Sequence, residues 1–183
     1  EWVDEDTSAE WVEGEVYFMS PSSTRHQLLA GFLFVMIRSF VEYHQLGMTL
    51  NAPYKMKIPG YGAEPDVLVV LKENEGRLRK TFLDGPADLV VEVISPDSVE
   101  RDRVKKFGDY EAAGIPEYWL IDPERRTAEF YHLVAGRYEL AATPDDIYES
   151  RVLPGLRLPL EWLRRNSLPP LLDVLRWMGM IPE

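Results

Sequence analysis

The sequence contains no cysteine, which excludes a disulfide scaffold, a thiolate metal site and a cysteine nucleophile. Only three histidines are present, so carboxylate and carbonyl oxygens are the metal ligands that we expect. The longest apolar run, residues 28–37, is far shorter than the ~18 residues that span a bilayer. The first residues carry no basic n-region of a signal peptide, so we expect a cytoplasmic protein without membrane association.

Basic residues are also in deficit, since 20 Lys and Arg face 31 Asp and Glu and leave a formal charge of −11. Seven of the carboxylates lie in residues 1–15, so the remainder of the chain is close to neutral. This distribution disfavours a protein that coats nucleic acid, but it leaves room for local basic patches. We expect one domain over 1–183, with an acidic segment at 1–11 and an amphipathic helix at 167–183.

Hydrophobic periodicity predicts an α/β (α+β) fold with a mixed central sheet, flanking helices, additional C-terminal strands and a short tail helix. Helical spacing covers 24–45 and 98–113, and Gly114 ends the second helix. Strand patterns cover 48–58, 66–71, 88–94 and 117–122. Two of these, DVLVVL and DLVVEVI, are almost continuously apolar, which is typical of central strands covered on both faces.

Two acids stand where apolar residues are expected. Glu92 lies inside an apolar strand and shares one face with Val90 and Ile94. An unpaired buried carboxylate costs several kcal/mol, so it must be hydrogen-bonded, paired, protonated or bound to a metal. Asp66 begins the other apolar strand, and the two acids would meet if the strands are neighbours. The alternative for Glu92 is a core acid that is paired with an arginine. The alternative for Asp66 is a residue that caps the start of its strand.

The helix that follows Glu92 carries a lysine at the edge of its buried face. At 100° per residue, Asp102, Lys106 and Tyr110 form one stripe, beside a core stripe that includes Val104. The Lys106 stem can therefore lie along apolar surface while its ammonium reaches the end of the sheet, and Lys105 points to solvent. The alternative is a simple i,i+4 pair of Asp102 and Lys106, worth ~0.3–0.5 kcal/mol.

These motifs resemble a known nuclease core. GAEPDVLVVL and VVEVISP, with 25 residues between Asp66 and Glu92, are similar to the PD-(D/E)xK nuclease superfamily. The segment from EVISPDS to RDRVKKFGDYEAAGIPEYWLIDP resembles the Uma-type family of restriction-type endonucleases, and the resemblance covers nearly the whole chain. The superfamily's usual lysine stands two residues after the second acid, where this chain has Ile94. Lys106 matches a position to which that lysine has migrated in some relatives.

The resemblance implies a restriction endonuclease-like core and a set of site residues. It implies catalytic roles for Asp66, Glu92, Lys106 and Glu15, with Mg²⁺ or Mn²⁺ held by Asp66, Glu92 and the backbone carbonyl of Val93. Supporting roles fall to His26, Asp102 and Tyr110. Apart from the resemblance, Arg101, Arg103 and Lys105 lie beside these residues and are candidates for phosphate contacts, and a solvated basic surface is the alternative. A local packing or capping role at the start of the first helix is the alternative for His26.

Three functions compete on the sequence alone. The first is a metal-dependent endonuclease that hydrolyses DNA, which we expect to act as a homodimer. The second is a catalytically silent nuclease-like fold that serves as a binding or dimerisation module. The third, a glycosidase-like acid pair of Glu15 and Glu92, is the weakest because the sequence shows no aromatic-rich sugar cleft.

Overall fold

The chain begins with a short hairpin. In this computed structural model the described residues are 8–12 and 15–19, for which only the backbone is given, and 23–96 and 98–182 with side chains. Strand β1 (Ser8–Val12) pairs antiparallel with β2 (Glu15–Met19). The predicted acidic segment therefore ends in a strand, and its first seven residues lie outside the described part of the chain. Glu15 is the first residue of β2, and its side chain is also outside the described part of the chain.

A single long helix, α1 (Thr24–Tyr43), follows the hairpin. Its buried residues recur at helical spacing, as Leu29, Leu33, Met36 and Phe40 show. At its start the Ser23 hydroxyl accepts a hydrogen bond from the backbone N–H of His26, at 3.1 Å, which satisfies one of the unpaired donors of the first turn. The helix is two residues shorter at its C-terminal end than the sequence predicts.

Eleven further strands follow α1 in the described residues. They are β3 (Gly47–Asn51), β4 (Lys55–Ile58), β5 (Tyr61–Ala63), β6 (Val67–Leu71), β7 (Phe82–Asp84), β8 (Leu89–Val93), β9 (Glu117–Asp122), β10 (Thr127–Val134), β11 (Arg137–Leu140), β12 (Ile147–Glu149) and β13 (Arg157–Pro159). Six of them form a mixed sheet in the order β11-β10-β9-β8-β6-β3. A smaller sheet has the order β5-β4-β7, and β12 pairs with β13.

The remaining helices connect or follow these strands. They are a π-helical segment (Arg101–Lys106) that continues into α2 (Phe107–Ala113), then α3 (Leu160–Arg164) and α4 (Leu171–Trp177), besides two short 3-10 helices, Lys72–Arg77 and Pro144–Asp146. The first two link β8 to β9, which are parallel neighbours and so require a crossover connection. No helix among the described residues combines the length and apolarity that crossing a membrane requires.

Both faces of the six-stranded sheet are covered, as the continuous apolar strands predict. On one face Leu89, Val91 and Val93 of β8 pack in a core with α1 and the C-terminal segments. On the other face Val90 packs in a second core with the small sheet and with Tyr110 of α2. The predicted alternation of side chains along β8 is therefore confirmed.

Three predictions about individual elements are wrong. The segment 48–58 is two strands in different sheets, β3 and β4, because Pro53 lies between them and cannot donate to a sheet ladder. Val104 is 67 % exposed rather than in the core, because it lies on the opposite side of the helix from the buried Asp102 and Lys106. The tail helix is limited to α4, between Pro170 and Gly179. Gly114, with φ of 79°, does end the helix after β8 as predicted.

A completely buried carboxylate anchors the start of β9. Glu117 Oε1 accepts hydrogen bonds from the Trp119 indole at 2.6 Å and the Tyr148 hydroxyl at 2.7 Å. Its Oε2 accepts from the Ser150 hydroxyl at 3.1 Å and from two backbone N–H groups, of Arg151 and Val152, both at 2.9 Å. These bonds fasten the segment after β12 to the central sheet.

Replacing this carboxylate should destabilise the fold. We expect Glu117→Ala to lower the free energy of unfolding by about 3 kcal/mol or more, because it leaves buried donors without an acceptor. Urea denaturation measures the change. The control is Glu161→Ala, which removes an exposed i,i+4 ion pair with Arg165 and should change stability by less than about 0.5 kcal/mol. An equal effect of the two variants would contradict the role of Glu117.

Candidate active site

The pairing of β6 with β8 brings the two strand acids to one end of the sheet. The strands are antiparallel, and Val67 lies opposite Val91. Asp66, one residue before β6, therefore lies across from Glu92, one residue after Val91. An antiparallel register places the beginning of one strand beside the end of the other. The sequence predicts that Asp66 and Glu92 meet if their strands are neighbours, and the pairing of β6 with β8 meets this condition.

Asp66 is held by the end of β8 and by the first turn of α1. Its Oδ2 accepts a hydrogen bond from the Val93 backbone N–H at 2.7 Å. The same oxygen lies 3.5 Å from Nε2 of His26. The His26 ring also interacts with the Val93 backbone carbonyl, and its Nδ1 is buried without a hydrogen-bond partner among the described residues. The hydrogen bond to Asp66 raises the pKa of His26 against the opposing effect of burial.

Glu92 is buried, and a different group contacts each of its carboxylate oxygens. Oε1 accepts a hydrogen bond from the Tyr110 hydroxyl at 2.7 Å. Oε2 lies 2.8 Å from the Lys106 ammonium. The two contacts come from one side of the sheet, because the crossover after β8 covers the face that Glu92 shares with Val90. The lysine of the helix thus reaches the acid of the strand.

Lys106 is itself buried between two carboxylates. Its Nζ lies 3.1 Å from Asp102 Oδ1 as well as 2.8 Å from Glu92. The exposed fractions are 7 % for Lys106 and 2 % for Asp102, so this i,i+4 pair is buried, and Lys106 contacts Glu92 as well. In the π-helical segment both side chains point toward the sheet, which is why they are buried together. The Tyr118 hydroxyl donates to the Asp102 backbone carbonyl at 3.1 Å and fastens this turn to β9.

Burial and the neighbouring charges shift the protonation of this cluster. Burial raises the pKa of Glu92 to about 7, with Lys106 acting in the opposite direction and Asp66 adding to the rise. Burial alone lowers the pKa of Lys106, but the Glu92 and Asp102 carboxylates together raise it above its ordinary value. Lys106 is therefore the fixed positive charge of the site, and Glu92 is the group that exchanges a proton near neutral pH.

The donor set fits a hard divalent cation. Asp66 and Glu92 face each other closely enough for the Asp66 charge to raise the pKa of Glu92, and a cation between them would relieve that repulsion. Oxygen donors are the ligands that Mg²⁺ prefers. Among residues 23–96 and 98–182, however, no three His, Asp or Glu side chains already form a ligand cluster.

The three side chains with expected phosphate contacts have different surroundings. Arg103 donates to Glu129 at 2.7 Å and to Asp122 at 3.2 Å, and is largely shielded. Lys105 pairs with an exposed acid of the next turn and lies 3.8 Å from the centre of the Tyr61 ring. Arg101 is 41 % exposed. Its position favours a phosphate contact more than that of Arg103.

The sequence matches a known protein family. A sequence model of the Uma2 family, described as "Putative restriction endonuclease", matches residues 1–161. The chain belongs to this family. The Uma2 family is one of nucleases with a restriction endonuclease-like fold, in agreement with the mixed sheet and flanking helices described above.

A solved structure supports the fold assignment of this Uma2 protein. It is described as a "putative nuclease belonging to DUF820" from Anabaena variabilis, and it is similar with a TM-score of 0.72 at 19 % sequence identity. The match covers 86 % of this chain and 89 % of the other. No curated protein matches the sequence.

Sequence reasoning misses two tyrosines of the Uma2 site. Tyr118 lies on β9 and faces the same side of the sheet as Glu92, so alternation along EYWLID would have found it. Tyr61 lies on β5, and the charges of Lys106 and Glu92 both influence its pKa, which burial raises. Nothing in the sequence places β5 beside the crossover, since that contact depends on the small sheet.

The raised pKa of Glu92 predicts a pH-dependent stability in metal-free protein. Between pH 4.5 and 7 the folded protein binds this proton and the unfolded chain releases it, so the free energy of unfolding falls as pH rises. Relative to Glu92→Gln, wild type should lose about 3 kcal/mol across this window. Urea denaturation in EDTA measures the difference. A difference between wild type and Glu92→Gln that stays constant from pH 4.5 to 7 would contradict the raised pKa of Glu92.

Proposed function

We propose that the protein is a metal-dependent endonuclease that hydrolyses DNA phosphodiester bonds, with Asp66, Glu92 and Lys106 as catalytic residues. The observation that carries the proposal is the 2.8 Å contact of Lys106 with Glu92, at the end of the sheet where Asp66 also lies. Two carboxylates that can hold a divalent cation and a lysine that can stabilise developing negative charge suit phosphodiester hydrolysis. Membership of the Uma2 family supports the same chemistry.

Mg²⁺ or Mn²⁺ is the proposed cofactor, held by Asp66, Glu92 and the Val93 backbone carbonyl. The chemistry that such a cation supplies is polarisation of the phosphoryl oxygen and a lower pKa for the attacking water. The Val93 N–H fixes one oxygen of Asp66, and the Tyr110 hydroxyl fixes one oxygen of Glu92. The chain thus orients both carboxylates before a ligand arrives.

Lys106 is the proposed electrostatic catalyst. The acids on either side keep its ammonium protonated, so it can stabilise negative charge that develops on the phosphoryl oxygens. Asp102 holds the ammonium from the other side, which limits the directions in which it can donate. His26, next to Asp66, is proposed to orient that carboxylate. A homodimer that cuts both strands stays a prediction.

A catalytically silent module is the second candidate. The observations in its favour are that the His26 ring lies 3.5 Å from Asp66 and that the Val93 backbone helps to raise the pKa of this ring, since Asp66 and the Val93 carbonyl are two of the three proposed metal-binding groups. In a silent module the imidazole would occupy these groups permanently and no cation would bind. Metal affinity therefore separates the two candidates.

Loss of the lysine should abolish cleavage. We expect Lys106→Met to lower the rate of DNA cleavage by about 10²–10³-fold, since it removes the charge that stabilises the transition state. Cleavage of supercoiled plasmid with Mg²⁺ or Mn²⁺ measures the rate, and circular dichroism checks folding. Lys72→Met is the matched control, because Lys72 is exposed at the opposite end of β6. A cleaving Lys106→Met protein would contradict the assignment of Lys106.

Metal binding should depend on the two strand acids. We expect wild type to bind Mn²⁺, and Asp66→Asn and Glu92→Gln to bind it far more weakly, because each removes an anionic ligand. Electron paramagnetic resonance of free Mn²⁺ measures the binding. Asp173→Asn, at an exposed position of α4, should bind as wild type does. A wild type without Mn²⁺ affinity would overturn metal dependence and favour the silent module.

A further inference from the structure

Two arginines from distant parts of the chain meet at one asparagine. Arg25 lies in the first turn of α1, and Arg126 lies in the turn between β9 and β10. Arg25 Nη1 donates to the backbone carbonyl of Asn166 at 3.2 Å. Arg126 Nη2 donates to the side-chain oxygen of the same residue at 2.8 Å. The two guanidinium groups are therefore neighbours.

The acceptors that the described residues offer to this arginine pair are all neutral. Besides Asn166, Arg25 donates to the Leu163 carbonyl at 2.7 Å and Arg126 to the Arg164 carbonyl at 3.3 Å. Within the described part of the chain, neither guanidinium forms an ion pair with a carboxylate. Arg38, elsewhere on α1, differs in this respect, since it pairs with Glu42 at 2.6 Å.

Capping of α3 accounts for only part of this arrangement. Both arginines donate at the C-terminal end of that helix, a favourable place for a cation. Two cations at one helix end nevertheless repel each other, and none of their acceptors carries a charge. Burial lowers the pKa of Arg25, and the charge of Arg126 lowers it further. A bound anion would remove this repulsion.

The arginine pair lies at the end of the sheet that carries the acids. Strands β8 and β9 are parallel, with Val93 opposite Ile121, so the turn after β9 lies beside the end of β8. Arg126 belongs to that turn. Arg25 immediately precedes His26, whose ring lies 3.5 Å from Asp66. Both arginines thus border the proposed catalytic residues, and Arg126 is exposed to solvent.

We propose that Arg25 and Arg126 form a phosphate-binding subsite that holds a backbone phosphate of the nucleic acid beside the one that is cleaved. This inference deepens the proposed function and, in its DNA form, rests on it. Guanidinium groups bind phosphate oxygens through paired N–H donors, and two of them can hold one phosphate together. Contacts of this kind position the substrate without reading its sequence.

Inorganic phosphate tests the subsite without DNA. In thermal unfolding at matched ionic strength, sodium phosphate should raise the Tm of wild type relative to sodium chloride. Arg25→Gln and Arg126→Gln should lose this rise, because glutamine keeps a donor for the carbonyl but removes the charge. Arg38→Gln should keep it. Equal rises in wild type and in both subsite variants would overturn the subsite.

A salt titration tests the DNA form of the inference. Anisotropy of a fluorescein-labelled 20-base-pair duplex, measured with Ca²⁺ to limit cleavage, gives the slope of log affinity against log salt. Loss of one phosphate contact should reduce the slope by about 0.9. Each single variant, and also the double variant, should show this one-contact reduction, because both arginines hold the same phosphate. An unchanged slope in Arg126→Gln would overturn the subsite.

The outcomes separate this inference from the proposed function. Phosphate binding that depends on the arginine pair, in a protein that leaves DNA uncut, supports the subsite and contradicts the endonuclease. DNA cleavage with an unchanged salt slope in both variants supports the endonuclease and overturns the subsite. A fall in Tm in chloride, without a change in phosphate binding or slope, would assign the pair to capping of α3 alone and would also overturn the subsite.

Discussion

The buried ion pair between Lys106 and Glu92 is the interaction on which the rest of the site depends. It joins a central strand to the crossover that follows this strand. Both side chains are buried, so water cannot replace either partner of the pair. Such a pair is a poor source of net stability, since desolvation of two charges offsets much of their attraction. An apolar pair of similar volume would hold the helix to the sheet at least as well. The charges are therefore better explained by chemistry at the end of the sheet than by folding.

Tyrosine hydroxyls make this charged cluster rigid. Tyr110 bonds the Glu92 side chain, while Tyr118 bonds the backbone of the turn that carries Asp102. The first fixes a carboxylate and the second fixes the segment that presents the lysine, so strand and crossover are held in one relative position. Glu117, on the same strand as Tyr118, accepts hydrogen bonds from the segment after β12 and so holds that segment against the sheet. The proposed catalytic groups thus rest on a preorganised frame.

Much of the site follows from short-range pattern, and the rest does not. The period of two along a strand places Glu92, and the i,i+4 spacing places Asp102 beside Lys106, because those residues stay adjacent in α- and π-helical turns alike. Val104 is wrongly predicted because it lies on the side of the helix opposite Asp102 and Lys106, the residues that face the sheet. The donors to Glu117 and the meeting of Arg25 with Arg126 depend on tertiary contacts between residues far apart in sequence, for which no periodicity exists. The division of residues 48–58 into β3 and β4 likewise depends on tertiary pairing, because the two strands belong to different sheets.

The β6–β8 register has a consequence for how the chain can diverge. The connection between these strands, residues 72–88, leaves the sheet at the end opposite Asp66 and Glu92. Asp88 closes that end by accepting from the Leu71 backbone N–H and the Asn74 amide, both at 2.7 Å. Insertions before β7, within residues 72–81, none of which is buried, lengthen the loop at small entropic cost and leave the register unchanged. The number of residues between the two acids is therefore a tolerant feature of the sequence, whereas their alignment across two strands is strictly constrained.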